Sequence, residues 1–172
     1  ADISYELPNK DFAELRDAGK LSIVSTPFSN GVQYIGMNVT KPPFDNLKVR
    51  QAVAYAIPYQ KIMDAALYGL AKPMFGATAD APTQVAWPQQ HKFNTDIARA
   101  KQLLAEAGFP NGFETTISLD LGFATINEPL CVLVQESLQQ IGIKTTINKI
   151  PGANWRTELN KKQMPLFTNV FS

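Results

Sequence analysis

The chain contains one cysteine, Cys131, and one histidine, His91. A lone thiol closes no internal disulfide, and one thiol with one imidazole falls short of the usual tetrahedral zinc ligand set. An excess of either charge is missing too. Sixteen Lys and Arg face 15 Asp and Glu, a formal net charge of +1, which gives no support to a nucleic acid as partner. No run of about 18 apolar residues occurs, so nothing in the sequence reads as a helical membrane span. There is no Gly-x-Ser-x-Gly elbow and no phosphate-binding loop. The helical carboxylates in Asp96-Ile97-Ala98-Arg99 and Gln135-Glu136-Ser137-Leu138 read as solvated faces. His91 sits among Gln89, Gln90 and Lys92 in a polar loop, and Cys131 lies beside apolar residues as an inert buried thiol. No cofactor is implied.

What is present suits one folded domain with a sizeable core: 172 residues, 45% hydrophobic and 18% charged. The run Pro42 to Ile57 is the most informative segment. Pro42 and Pro43 predict an extended lead-in. Asp45 or Asn46 is placed to cap the helix that follows. Leu47, Val49, Ala52, Val53, Ala56 and Ile57 recur at helical spacing and form an apolar stripe, with Lys48, Arg50 and Gln51 turned away.

Elsewhere the pattern predicts a short helix at 11–17, strands at Leu21–Ser25 and Val32–Met37, and a helical turn over 61–68 closed by Gly69. A long loop over 70–92 is punctuated by Pro73, Gly76, Pro82 and Pro88. Helices follow at 95–107 and 128–141, the second capped by Asn127. Each ends in a glycine, Gly108 or Gly142, followed by an apolar residue placed to touch the last turn. Strands at Thr115–Leu119 and Ile143–Ile147 flank the second of these helices and should be parallel. A short helix near 155–160 and a strand at Leu166–Phe171 would make a second crossover. The expectation is an α/β lobe whose mixed, partly parallel sheet is flanked by helices.

In such a sheet ligands collect at the carboxyl ends of the strands. That points to the loop Asp120, Leu121, Gly122 and Phe123, where Phe123 offers an apolar wall and Asp120 either faces a ligand or caps a turn. Trp155 and Trp87 are further candidates, since an indole stacks on a ligand while keeping its N–H bonded; a core or edge role is the competing reading for each.

The Pro42–Ile57 run, Tyr34-Ile35-Gly36-Met37-Asn38 just before it, Ala98 to Phe113, and Gln139-Gln140-Ile141-Gly142-Ile143 together resemble the family-5 solute-binding proteins of bacterial ABC importers, the periplasmic dipeptide and oligopeptide binders. Pro58 departs from the Asp or Asn usual there. The resemblance implies a periplasmic receptor that closes two lobes on a small, peptide-like solute and delivers it to a membrane permease. Residues 1–36 would then be a remnant of the larger lobe with the crossover. Residues 37–172 would form most of the smaller lobe, and the chain would be a piece of a longer mature protein. Asn38 would lie near that crossover, bonding either hinge backbone or ligand. Dipeptide-binding members place an Arg near the loop that matches Asp120–Phe123, and none stands here. Two alternatives are a hydrolase using His91 and a serine, and a receptor that also feeds a chemosensor.

Overall fold

The computed structural model describes residues 7–24, 31–71 and 93–171. Trp87, His91, Ser25 and most of the 70–92 loop lie outside them. The elements in chain order are α1 (Asn9–Ala18), β1 (Val32–Met37), α2 (Leu47–Ala56), α3 (Tyr59–Lys61), which runs into a π-helical turn (Ile62–Ala66), α4 (Ile97–Glu106), β2 (Glu114–Asp120), a 3-10 turn (Leu121–Phe123), α5 (Ala124–Gln140), β3 (Lys144–Ile150), α6 (Gly152–Lys161) and β4 (Leu166–Phe171).

The sheet has the order β1-β4-β2-β3. β2 runs parallel to β3 along its whole length and parallel to β4 at Ile117 and Ser118; β1 is the antiparallel edge, with Val32 opposite Phe171 and Met37 opposite Leu166. The mixed α/β lobe expected from the pattern is therefore present. Strand alternation gives the sheet two unlike faces. One presents Ile35, Met37, Ile117, Leu119, Ile147 and Leu166 to α5, α2 and α4 and forms the main core. The register puts Tyr34, Phe167, Asn169, Ser118, Asp120 and Asn148 on the other face, where Trp155 of α6 packs.

Local sequence accounts for most boundaries. The Asn46 side chain accepts from the Lys48 amide at 2.9 Å and starts α2; Asp96 does the same for α4 through the Arg99 amide at 2.8 Å. Gly108 and Gly142 take φ of 91° and 85°, which lets the chain turn back so that the Phe109 and Ile143 amides bond the Leu104 and Leu138 carbonyls.

Four expectations change. The segment at Pro42–Pro43 is turned, not extended, because the Asp45 and Asn46 amides reach back to the Lys41 and Pro43 carbonyls at 3.1 and 3.2 Å. Arg50 Nη1 clamps the same turn by donating to the Phe44 and Asp45 carbonyls, both at 2.9 Å. Leu47, assigned to the apolar stripe, is exposed. Residues 21–24 form no strand; Leu21, Ile23 and Val24 are exposed and no ladder partner among the described residues reaches them. Finally, α5 begins at Ala124, not 128, so Asn127 lies inside the helix and caps nothing. Pro129 is tolerated there because its missing N–H deprives only the carbonyl of exposed Thr125.

Candidate functional site

The turn Leu121–Phe123 stands at the carboxyl end of β2 and leads directly into α5. Its shape comes from Asp120. That carboxylate accepts from the Gly122 amide at 2.7 Å, a side-chain-closed turn, and the residue is only 6% exposed. The acid therefore faces inward. The turn shows solvent Leu121 and Phe123, the latter 48% exposed. With 38% and 48% of their surfaces exposed, Leu121 and Phe123 each leave about 1 kcal/mol of burial unrealised.

The first residue of α6 sits against the same turn. A side chain at Gly152 would come within 3.5 Å of the Gly122 backbone and 3.3 Å of the Asp120 carboxylate, so the site has two walls of backbone in close contact. Trp155, one turn further along α6, is 7% exposed and packs edge-on to Phe167 with ring centroids 6.4 Å apart. Its indole nitrogen is buried with no hydrogen-bond partner among the described residues. The structure thus brings Trp155 into the neighbourhood of Asp120–Phe123, but beneath the surface.

Asn38 is elsewhere. It follows Met37, which is level with Leu166 and Ile117, so it lies toward the amino ends of the parallel strands, away from Asp120. Its amide nitrogen donates to the Lys162 carbonyl at 2.9 Å, and its oxygen accepts from Thr40 at 2.8 Å. Asn38 thereby ties the end of β1 to the α6–β4 connection. Phe44 is fully buried in the core.

Beneath the turn lies a polar group in which Asn127, expected as a helix cap, is joined to Gln33, which the sequence did not single out. Asn127 donates to the Asp120 carbonyl at 3.1 Å and accepts from Gln33 of β1 at 3.1 Å; Gln33 also donates to Thr168 at 2.6 Å. An Asn and a Gln in amphipathic segments carry no individual signal, and their partnership spans 94 positions.

Two hollows elsewhere, of about 520 and 230 Å³, involve none of these residues; one lies at the amino ends of β2 and β3, the other between Pro58, Ile97 and α5. Among the described residues no three His, Cys, Asp or Glu side chains are grouped to hold a metal ion, and no helix is long and apolar enough to cross a membrane. Burial pushes the Cys131 thiol up to about 12, which keeps it protonated and unreactive at neutral pH.

The arrangement is thus an open wall, apolar at its lip and lined by backbone, with no nucleophile and base assembled at it among the described residues. Residues 1–172 match the family described as bacterial extracellular solute-binding proteins, family 5, middle region. The chain belongs to that family. The glutathione-binding protein GsiB of Salmonella choleraesuis (strain SC-B67) is 37% identical over 163 residues, covering 94% of this chain and 31% of that protein. A dipeptide-binding protein from Pseudoalteromonas sp. SM9913, solved with Met-Leu, superposes with a TM-score of 0.68 at 27% identity over 83% of this chain and 28% of that one. The oligopeptide-binding protein AppA of Bacillus subtilis, solved with a nonapeptide, shares the fold with a TM-score of 0.77 at 24% identity, covering 96% and 36%. The chain spans less than a third of the length of the curated relatives it matches. The family-5 match and these neighbours are binding proteins rather than enzymes.

Proposed function

We propose that this family-5 chain is part of the periplasmic receptor of an ABC importer, and that it supplies one wall of a cleft that captures a peptide-type solute, glutathione included. The observation that carries the reading is the 37% identity to a glutathione-binding protein across 94% of the chain. The geometry supports it. An exposed apolar lip at the strand ends suits one half of a two-sided clamp, which completes its contacts only when a second lobe closes. In this reading the Asp120–Phe123 turn faces the solute, Trp155 backs it, Asn38 holds the crossover, and the segment leading into β1 arrives from the other lobe. A membrane permease receives the solute.

The test is calorimetry on the full-length protein with reduced glutathione and with Met-Leu, followed by recovery of the solute. Saturable one-to-one binding of at least one of them, with the solute returned unaltered, is expected. Failure to bind either one, or any other small peptide, would overturn the reading, as would a cleaved product.

A further inference from the structure

The Gln33–Asn127 connection has a fixed direction. The Asp120 carbonyl only accepts, so Asn127 must offer it the amide nitrogen, at 3.1 Å. The Asn127 oxygen then faces Gln33, which must donate, again at 3.1 Å. Gln33 uses the same nitrogen toward the Thr168 hydroxyl at 2.6 Å. Asn127 is 1% exposed and Thr168 is fully buried, so each bond is made in a low-dielectric setting and each is missed if broken.

The chain of bonds ends on the residue that shapes the turn. Asp120 is held twice: its carbonyl by Asn127, and its carboxylate by the Gly122 amide at 2.7 Å. Leu or Val would fill these positions without a polar group to satisfy. The amide nitrogens of this network tie the turn to β1 by directional bonds that apolar packing would not supply, while Gln33 Oε1 is buried with no partner among the described residues. We infer that Gln33, acting through Asn127, is a positioning residue: the edge strand β1 holds the Leu121–Phe123 turn in its solute-facing conformation. The consequence for affinity rests on the proposed solute-binding reading; the hold on the turn does not.

Hydrogen exchange on the full-length protein separates the two. Gln33→Leu removes the bonds to both Asn127 and Thr168; through the loss of the first, amides of residues 121–125 should exchange about tenfold faster. Affinity for glutathione or Met-Leu, whichever binds, should fall by a similar factor. Tyr34→Phe, which removes the 3.3 Å Asn169–Tyr34 bond on the opposite face of the same strand, should leave exchange in the turn unaltered. Turn exchange within about twofold of wild type in Gln33→Leu overturns the inference, as does an equal rise in Tyr34→Phe. Faster turn exchange with unchanged affinity overturns the solute-facing role. If Gln33→Leu does not fold, Thr168→Val removes one acceptor at constant shape, and exchange must still rise about threefold in the turn. Were the wild-type protein to bind no peptide-type solute, the proposed function would fall while the exchange result still decided the positioning role.

Discussion

Gly36 offers a quantitative test of how the aromatic layer behind the site is built. Gly36 pairs with Phe167 across the β1–β4 ladder. The Phe167 ring lies directly over it: a methyl at Gly36 would stand 2.4 Å from Cζ and 2.6 Å from Cε1. In Gly36→Ala the ring must therefore leave its rotamer or the strands must part. Overpacking of this kind costs about 1–3 kcal/mol. Reduced freedom of the unfolded chain returns about 0.4–1 kcal/mol, leaving a net loss of about 1–2 kcal/mol. For a chain of this size that lowers the melting temperature by about 2–8 °C. The ring also touches Tyr34 and Trp155, with centroids at 6.1 and 6.4 Å, so its movement must reach the indole. The assay is urea unfolding followed by tryptophan emission in a Trp87→Phe background, where Trp155 is the one tryptophan within these 172 residues. An unchanged urea midpoint together with an unchanged native emission spectrum would refute the reasoning.

Asn46→Ala removes the α2 cap and should cost about 1 kcal/mol, read as a lower urea midpoint at constant slope. Phe123→Ala, at an exposed position, should weaken solute binding about tenfold in calorimetry while leaving the melting temperature within about 2 °C, because its ring is half in water already. Burial raises both the Cys131 thiol and the Tyr59 phenol to about 12. Folded values above unfolded ones mean that the stability held by these neutral groups is complete below the unfolded thiol's ordinary 9.0, and is lost as pH climbs from there toward 12. The urea midpoint should fall over that window, and Cys131→Ala should flatten the fall.

The elements that could be read from sequence are those whose causes are local. Gly108 before Phe109 and Gly142 before Ile143 mark helix ends because the turn-back bond and its apolar contact lie within five residues. Ile117 and Leu119 alternate with polar neighbours, so β2 was visible, and its carboxyl end pointed to Asp120–Phe123. The misses have distant causes. Residues 21–24 carry strand-like side chains, but a strand needs a partner and none among the described residues pairs with them. Asn127 has the composition of a cap, yet its amide is drawn to the Asp120 carbonyl and to Gln33, 94 positions away. Whether Asp120 faced a ligand or its own turn depended on the Gly122 amide. Trp155 is buried because Gly36 leaves room for the Phe167 ring beneath it. The Pro42–Ile57 run, the best pointer to the family, serves packing: Phe44 fills the core and Arg50 ties the turn.

A crystal structure of the full-length protein with a bound peptide-type solute tests the central claim most directly. The account predicts the solute enclosed between two lobes, with its atoms within about 4 Å of the Leu121–Phe123 turn. A solute seated at one of the remote hollows, or held with this turn still open to water, would contradict it.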